Sequence, residues 1–182
     1  LHGLGDTPRN FSRFLKTLPA QARVVALQAP SAYGSGHSWF PIRAKLGARD
    51  PQLANAVSLA TDRVGRHVQR LVKTRPTVGK PIVLGFSQGG ILSFALAARF
   101  PDLFQASLPI AGMLPTRIAS AAGGRVPVYA FHGVADSIVP YQAGLDAVRA
   151  LAKRGHPTEL KSYSGLRHRF SQALLNDVFD TL

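Results

Sequence analysis

The chain has no cysteine, one methionine and one tryptophan among its 182 residues. The lack of thiols excludes disulfide bridges, thiolate-bound zinc and a cysteine nucleophile, and leaves the compartment open. Acid is scarce too: nine Asp and Glu stand against 22 Lys and Arg, a formal net charge of +13. No apolar run reaches the roughly 18 residues that a membrane-spanning helix needs. No H-E-x-x-H or similar histidine pair offers metal-binding spacing.

So basic a chain raises the question of nucleic acid or an anionic surface. The cations are scattered, 16 of the 22 are arginine, and no run forms a basic arm. Enrichment in arginine, alanine and glycine reads as genomic composition rather than a binding stripe. Nucleic acid is therefore given low weight, with weak attraction to anionic lipid or other polyanions as the residual expectation.

The strongest local signal is Ile82-Val83-Leu84-Gly85-Phe86-Ser87-Gln88-Gly89-Gly90. A strand-like apolar run enters a serine flanked by glycines and continues into a helical pattern from Gln88 to Arg99. This is G-x-S-x-G in its strand-turn-helix setting, where the serine is strained at a strand tip and the glycines allow close packing. The helix that follows aims its N-terminal N–H groups at the reaction centre. Serine is also a common helix N-cap, but the flanking glycines and the apolar run favour a nucleophile.

A serine nucleophile needs a base, and the base needs an orienting acid. In this architecture the order along the chain is Ser, Asp or Glu, His. Val126 to Phe131 reads as a buried strand with His132-Gly133 at its end, and Asp136 lies in the loop beyond it, where open α/β sheets collect their functional groups. Thr158 to Tyr163 alternates like another strand, and Ser164-Gly165-Leu166-Arg167-His168 is its exit. The triad expected from placement is Ser87, Asp136 and His168. The bland alternatives are an Asp-Ser turn at Asp136 and a basic surface turn at Arg167-His168-Arg169. His2 and His132 stand beside glycines and are expected to make structural hydrogen bonds. His37, His67 and His156 are expected at the surface or in loops, and Asp102 is expected to close a turn.

Leu1-His2-Gly3-Leu4-Gly5-Asp6 supplies a glycine-interrupted loop. Acyl transfer needs two N–H donors for the oxyanion; the backbones of Gln88 and Leu4 are the candidates. Together with Gly85-Phe86-Ser87-Gln88-Gly89-Gly90, His132-Gly133, Asp136 to Pro140 and His168, this loop resembles the phospholipase/carboxylesterase family. That family includes acyl-protein thioesterases and bacterial carboxylesterases of the α/β-hydrolase fold. The resemblance runs nearly end to end. It implies a metal-free serine hydrolase without cofactor, acting through an acyl-enzyme on a small-molecule or lipid-like ester. Dienelactone hydrolases share the fold, but are expected to use the cysteine that this chain lacks.

Predicted strands are Arg23–Leu27, Pro81–Phe86, Ala106–Ile110, Val126–Phe131 and Thr158–Tyr163. Predicted helices are Arg9–Leu18, Pro51–Thr74, Gln88–Arg99, Tyr141–Arg154 and Phe170–Thr181. This alternation implies one α/β domain over residues 1–182, with a mostly parallel sheet and helices on both faces. The chain opens at Leu1 on residues expected just past a strand end. The resembled topology puts that strand between Arg23–Leu27 and Pro81–Phe86, so a fragment short of its first strands is expected. Without evidence on a leader, a cytoplasmic location is the default.

Two loops are expected to shape the substrate pocket. Tyr33 to Pro41 carries Trp39, whose side chain is equally suited to anchoring the loop in the core. Ala111 to Pro115 carries Met113 and Leu114. Acyl-protein thioesterases often have tryptophan where Met113 stands, which favours short to medium acyl esters over long-chain thioesters or lysophospholipids. A non-catalytic binding module on the same fold is the alternative of another class.

Overall fold

Short apolar runs separated by long amphipathic helices leave one economical arrangement, a parallel sheet with each crossover packed on a face. A computed structural model describes residues 1–18, 22–42, 47–118 and 124–182. The first elements are α1 (Pro8–Phe11), a 3-10 turn (Phe14–Thr17), β1 (Ser31–Tyr33), β2 (Gly36–Ser38) and α2 (Pro51–Thr74). Then come β3 (Ile82–Phe86), α3 (Gln88–Arg99), a 3-10 turn (Pro101–Leu103) and β4 (Ala106–Ile110). The last are β5 (Val128–Gly133), α4 (Tyr141–Ala152), β6 (Thr158–Tyr163) and α5 (Gln172–Thr181). The main sheet has the order β3-β4-β5-β6 and every pairing in it is parallel.

Both faces of the sheet are covered. In β5, Val128 and Ala130 join the core built with α2, α3 and α4, while Tyr129 and Phe131 join a second core with Leu174 and Val178 of α5. α3 is buried from Gln88 through Ala98, so it carries apolar residues all round. α2 begins with Asp50 capping the N–H of Gln52 at 2.8 Å and Pro51 at its first turn, as the sequence predicts. No helix among the described residues is long and apolar enough to cross a membrane.

The model departs from the sequence reading at several boundaries. Arg23–Leu27 forms no strand; Val24 and Val25 are 45% and 53% exposed, and β-propensity is realised only through a paired neighbour. Among the described residues, Leu1 pairs on the outer side of β3, its N–H donating to the Leu84 carbonyl and its carbonyl accepting from Phe86 N–H. The predicted Arg9–Leu18 helix breaks after Phe11 into the 3-10 turn. There the Ser12 hydroxyl donates to Arg9 O, a local bond that competes with helix continuation.

β5 starts at Val128 instead of Val126, because Pro127 has no N–H and the Val126 N–H donates to His156 Nδ1 at 3.2 Å. α4 stops at Ala152 instead of Arg154, closed by Gly155 at φ 86° and by Gly155 N–H donating to Ala152 O. α5 starts at Gln172 instead of Phe170 because Ser171 caps it, accepting from Leu174 N–H. The segment predicted as the Tyr33–Pro41 loop holds strand β2 and the end of β1, paired antiparallel. His156 lies in the loop between α4 and β6, one of the two places expected for it, and is buried there at 5% exposure.

The packing of α3 on the end of β4 is glycine-dependent. A Cβ at Gly90 of α3 would lie 2.5 Å from the Ile110 carbonyl and 3.2 Å from Gly112 Cα. These are backbone atoms that cannot rotate away. Gly90→Ala is expected to cost about 1–3 kcal/mol, read as a lower urea midpoint with an unchanged slope. A midpoint equal to that of the parent would show that α3 does not sit this close to β4.

Candidate active site

The end of β3 turns sharply. Ser87 has φ 55° and ψ −115°, a left-handed backbone that costs a non-glycine residue about 1–3 kcal/mol. Its neighbours leave room for the turn and nothing else. A Cβ on Gly85 would collide with the Gly89 carbonyl, and one on Gly89 with the Leu1 carbonyl. The Ser87 N–H donates to Ile110 O at 3.0 Å, which ties the turn to β4. Ser87 is 8% exposed and sits at the N-terminus of α3, the positive end of its dipole.

Ser87 meets residues from two other strand exits. His168 Nε2 lies 2.8 Å from Ser87 Oγ, and His168 Nδ1 lies 2.7 Å from Asp136 Oδ2. An ionised Asp136 fixes the tautomer: Nδ1–H donates to the carboxylate, and Nε2 accepts from the serine hydroxyl. The Asp136 side chain is fully buried. Its other oxygen accepts the N–H groups of Ile138 and Val139, each at 2.9 Å. The imidazole of His168 packs on the Phe86 ring at 4.9 Å between centroids, and Phe86 packs on Phe170 at 4.6 Å, so the ring plane is held as well as its polar edge.

The glycine loop passes directly over the serine, since a Cβ at Gly3 would be 3.5 Å from Ser87 Cβ. Among the described residues, neither Leu4 N–H nor Gln88 N–H has a hydrogen-bond partner. The loop is clamped by strand β2, where Gly5 N–H donates to His37 O and His37 N–H to Asp6 O. Gly5 itself is left-handed at φ 73°.

The site also depends on groups that local sequence does not reveal. The Gln88 side chain is buried. It accepts from Trp39 N–H at 3.0 Å and donates to Phe40 O at 2.8 Å. The Trp39 indole N–H donates to His2 O at 2.9 Å. One carboxamide thus joins the Ser87 turn to the 38–40 segment, and one indole joins that segment to the glycine loop. No pattern along the chain links positions so far apart. The structure buries Trp39 at 6% and Leu114 at 6% exposure and Met113 completely. Met113 and Leu114 present little surface to a ligand, and Trp39 anchors the 38–40 segment through its indole N–H.

His2 and His132 make structural bonds: Ala29 N–H donates to His2 Nε2 at 3.2 Å, and His132 Nε2–H donates to Val139 O at 2.8 Å. His132 Nε2 also stands 3.6 Å from Asp136 Oδ2, supporting the acid from behind. Burial pushes the pKa of His2, His132 and His156 below the ordinary histidine value.

A parallel sheet covered by helices on both faces, with Ser87, Asp136 and His168 gathered at the exits of β3, β5 and β6, has the architecture of the α/β hydrolases. The solved structure of Arabidopsis thaliana SOBER1 superposes with a TM-score of 0.82 at 22% identity, covering 98% of this chain and 93% of that one. The model of the Phospholipase/Carboxylesterase family matches residues 1–182. The chain therefore belongs to the phospholipase/carboxylesterase family, and its relatives' names fit a carboxylic ester hydrolase. Among its relatives in Oryza sativa subsp. japonica, the probable carboxylesterase Os04g0669500 is 30% identical, covering 94% of this chain and 71% of the relative. Another, the probable inactive carboxylesterase Os04g0669700, is 29% identical, covering 92% and 76%.

The buried histidines yield a pH prediction. A histidine whose pKa is depressed by folding binds more protons unfolded than folded, so stability rises with pH across that window. The contribution is complete above the unfolded value of about 6.5 and is lost as pH falls toward the folded values. Chemical denaturation between pH 7 and 5 is expected to show falling stability, lessened in His156→Gln. An invariant denaturation midpoint over that range would contradict burial of these histidines as neutral groups.

Proposed function

We propose that the protein cleaves carboxylic esters of short to medium acyl chains through an acyl-enzyme on Ser87. The carrying observation is the unbroken line Ser87 Oγ–His168–Asp136, at 2.8 and 2.7 Å. As Oγ attacks the acyl carbonyl, His168 Nε2 takes its proton, and Asp136 orients the imidazole and stabilises its charge. The N–H groups of Leu4 and Gln88 receive the oxyanion. Collapse expels the alcohol, which takes the proton from His168. Water then repeats the sequence, releasing the acid and restoring Ser87.

One relative bears the name of an inactive carboxylesterase, so activity of this chain is itself open to test. A fluorophosphonate probe is expected to label Ser87 and to fail on Ser87→Ala. Ser87→Ala and His168→Ala should each lower kcat by about 10⁴–10⁶, and the double variant should be little worse than either single. Asp136→Asn should cost somewhat less. No adduct at Ser87 would favour a binding module on this fold, and multiplying penalties would mean that the two residues do not act as a unit.

The acyl-chain preference rests on Met113 and Leu114, which fill the space past the end of β4 without leaving open surface. Each methylene adds about 0.8 kcal/mol only where it is buried. On p-nitrophenyl acetate through palmitate, kcat/KM is expected to peak at short to medium chains and fall thereafter. A steady rise to palmitate, matched by a palmitoyl thioester, would assign the protein to long-chain thioester or lysophospholipid hydrolysis.

A further inference from the structure

A cavity of about 280 Å³ lies between α2 and segment 27–30, and none of Ser87, Asp136 and His168 lines it. Its walls are mostly apolar: Leu27, Pro30, Trp39, Ala60 and Val64. The remaining lining residues are polar, the neutral Gln28 with Arg63 and His67; Arg63 and His67 are the two that carry or can carry positive charge. These two are four residues apart on α2, so they project from one helix face. Among the described residues neither has an ion-pair or hydrogen-bond partner. The neighbouring acid, Asp62, is already taken by Arg99 at 2.8 Å. An apolar hollow edged by an unneutralised guanidinium is complementary to an amphiphile with one negative charge, and the planar fork of arginine matches a carboxylate bidentately. The volume is just under the roughly 300 Å³ at which small-molecule sites begin, which selects a small acid over a large one.

We propose that this cavity binds a small apolar monocarboxylate, its head on Arg63 and His67 and its body against Trp39. The Trp39 indole N–H is already committed to His2 O, so the ligand meets the ring and leaves that bond in place. Ser87, Asp136 and His168 are not among the residues that line the cavity, so the proposal stands or falls independently of the esterase reading.

Trp39 is the sole tryptophan, so intrinsic fluorescence reports the site directly. Titration with butyrate, hexanoate and benzoate is expected to give a saturable change with Kd on the order of a millimolar, as befits so few ligand atoms. Arg63 is exposed, so Arg63→Gln leaves the fold intact and should raise Kd about tenfold, the worth of a charge-assisted bond. Hexanamide should bind at least tenfold more weakly than hexanoate. Ser87→Ala should bind the acid as the parent does. Absence of saturable binding by both fluorescence and calorimetry overturns the proposal. So does equal affinity for acid and amide, an unchanged Kd in Arg63→Gln, or loss of binding in Ser87→Ala.

Discussion

Ser87 leaves β3 with φ 55° and ψ −115°, and the chain can hold that conformation only because its surroundings are backbone rather than side chain. Gly85 faces the Gly89 carbonyl, Gly89 the Leu1 carbonyl, and Gly90 the Ile110 carbonyl and Gly112. Strand, helix and glycine loop therefore meet at van der Waals distance around one residue. The same contacts fix where α3 begins and how near Leu4 runs to the serine. Ala111, at the exit of β4, is the other left-handed non-glycine residue among those described, at φ 49°. Strain of this kind persists only where the surroundings over-determine it. Here the determining contacts are shared by two adjacent strand exits.

Polar side chains in the interior extend that rigidity outward. Gln88 has its carboxamide oxygen and nitrogen both satisfied by the 38–40 segment, and Trp39 passes the constraint to His2. Leaving a buried amide unpaired costs about 1–3 kcal/mol, so the three segments either move together or incur that cost. β2 then grips Gly5 and Asp6 through backbone bonds. The N–H groups of Leu4 and Gln88 thus belong to one connected body, which is what a pair of preorganised donors needs.

Elements made by local pattern are legible in the sequence. α2, α3, β4 and β6 lie at their predicted bounds, α2 with the Asp50 cap and Pro51 that the sequence marks. Ser87, Asp136 and His168 follow from the rule that function collects at strand exits, and the model brings them within hydrogen-bond distance. What fails depends on partners rather than pattern. Val24 and Val25 have strand-forming side chains but no neighbouring strand, and Ser12 diverts a helix by one hydroxyl. The burial of His156 and the reach of Gln88 toward Trp39 are long-range facts, with no signature at either end.

The charge of the chain bears on the site less than its size suggests. A net +13 acts over distances at which salt screens exposed charges beyond about 8 Å, so remote arginines contribute little at Ser87. Arg167 and Arg169 flank His168 directly, and both are exposed, where water weakens their opposition to a positive imidazole. Asp136 is fully buried and 2.7 Å from the same ring. The charged group in contact with the ring is therefore a buried carboxylate at its Nδ1, while the two guanidinium groups beside it in sequence lie in solvent. Burial, rather than the count of charges, decides which sign the histidine meets.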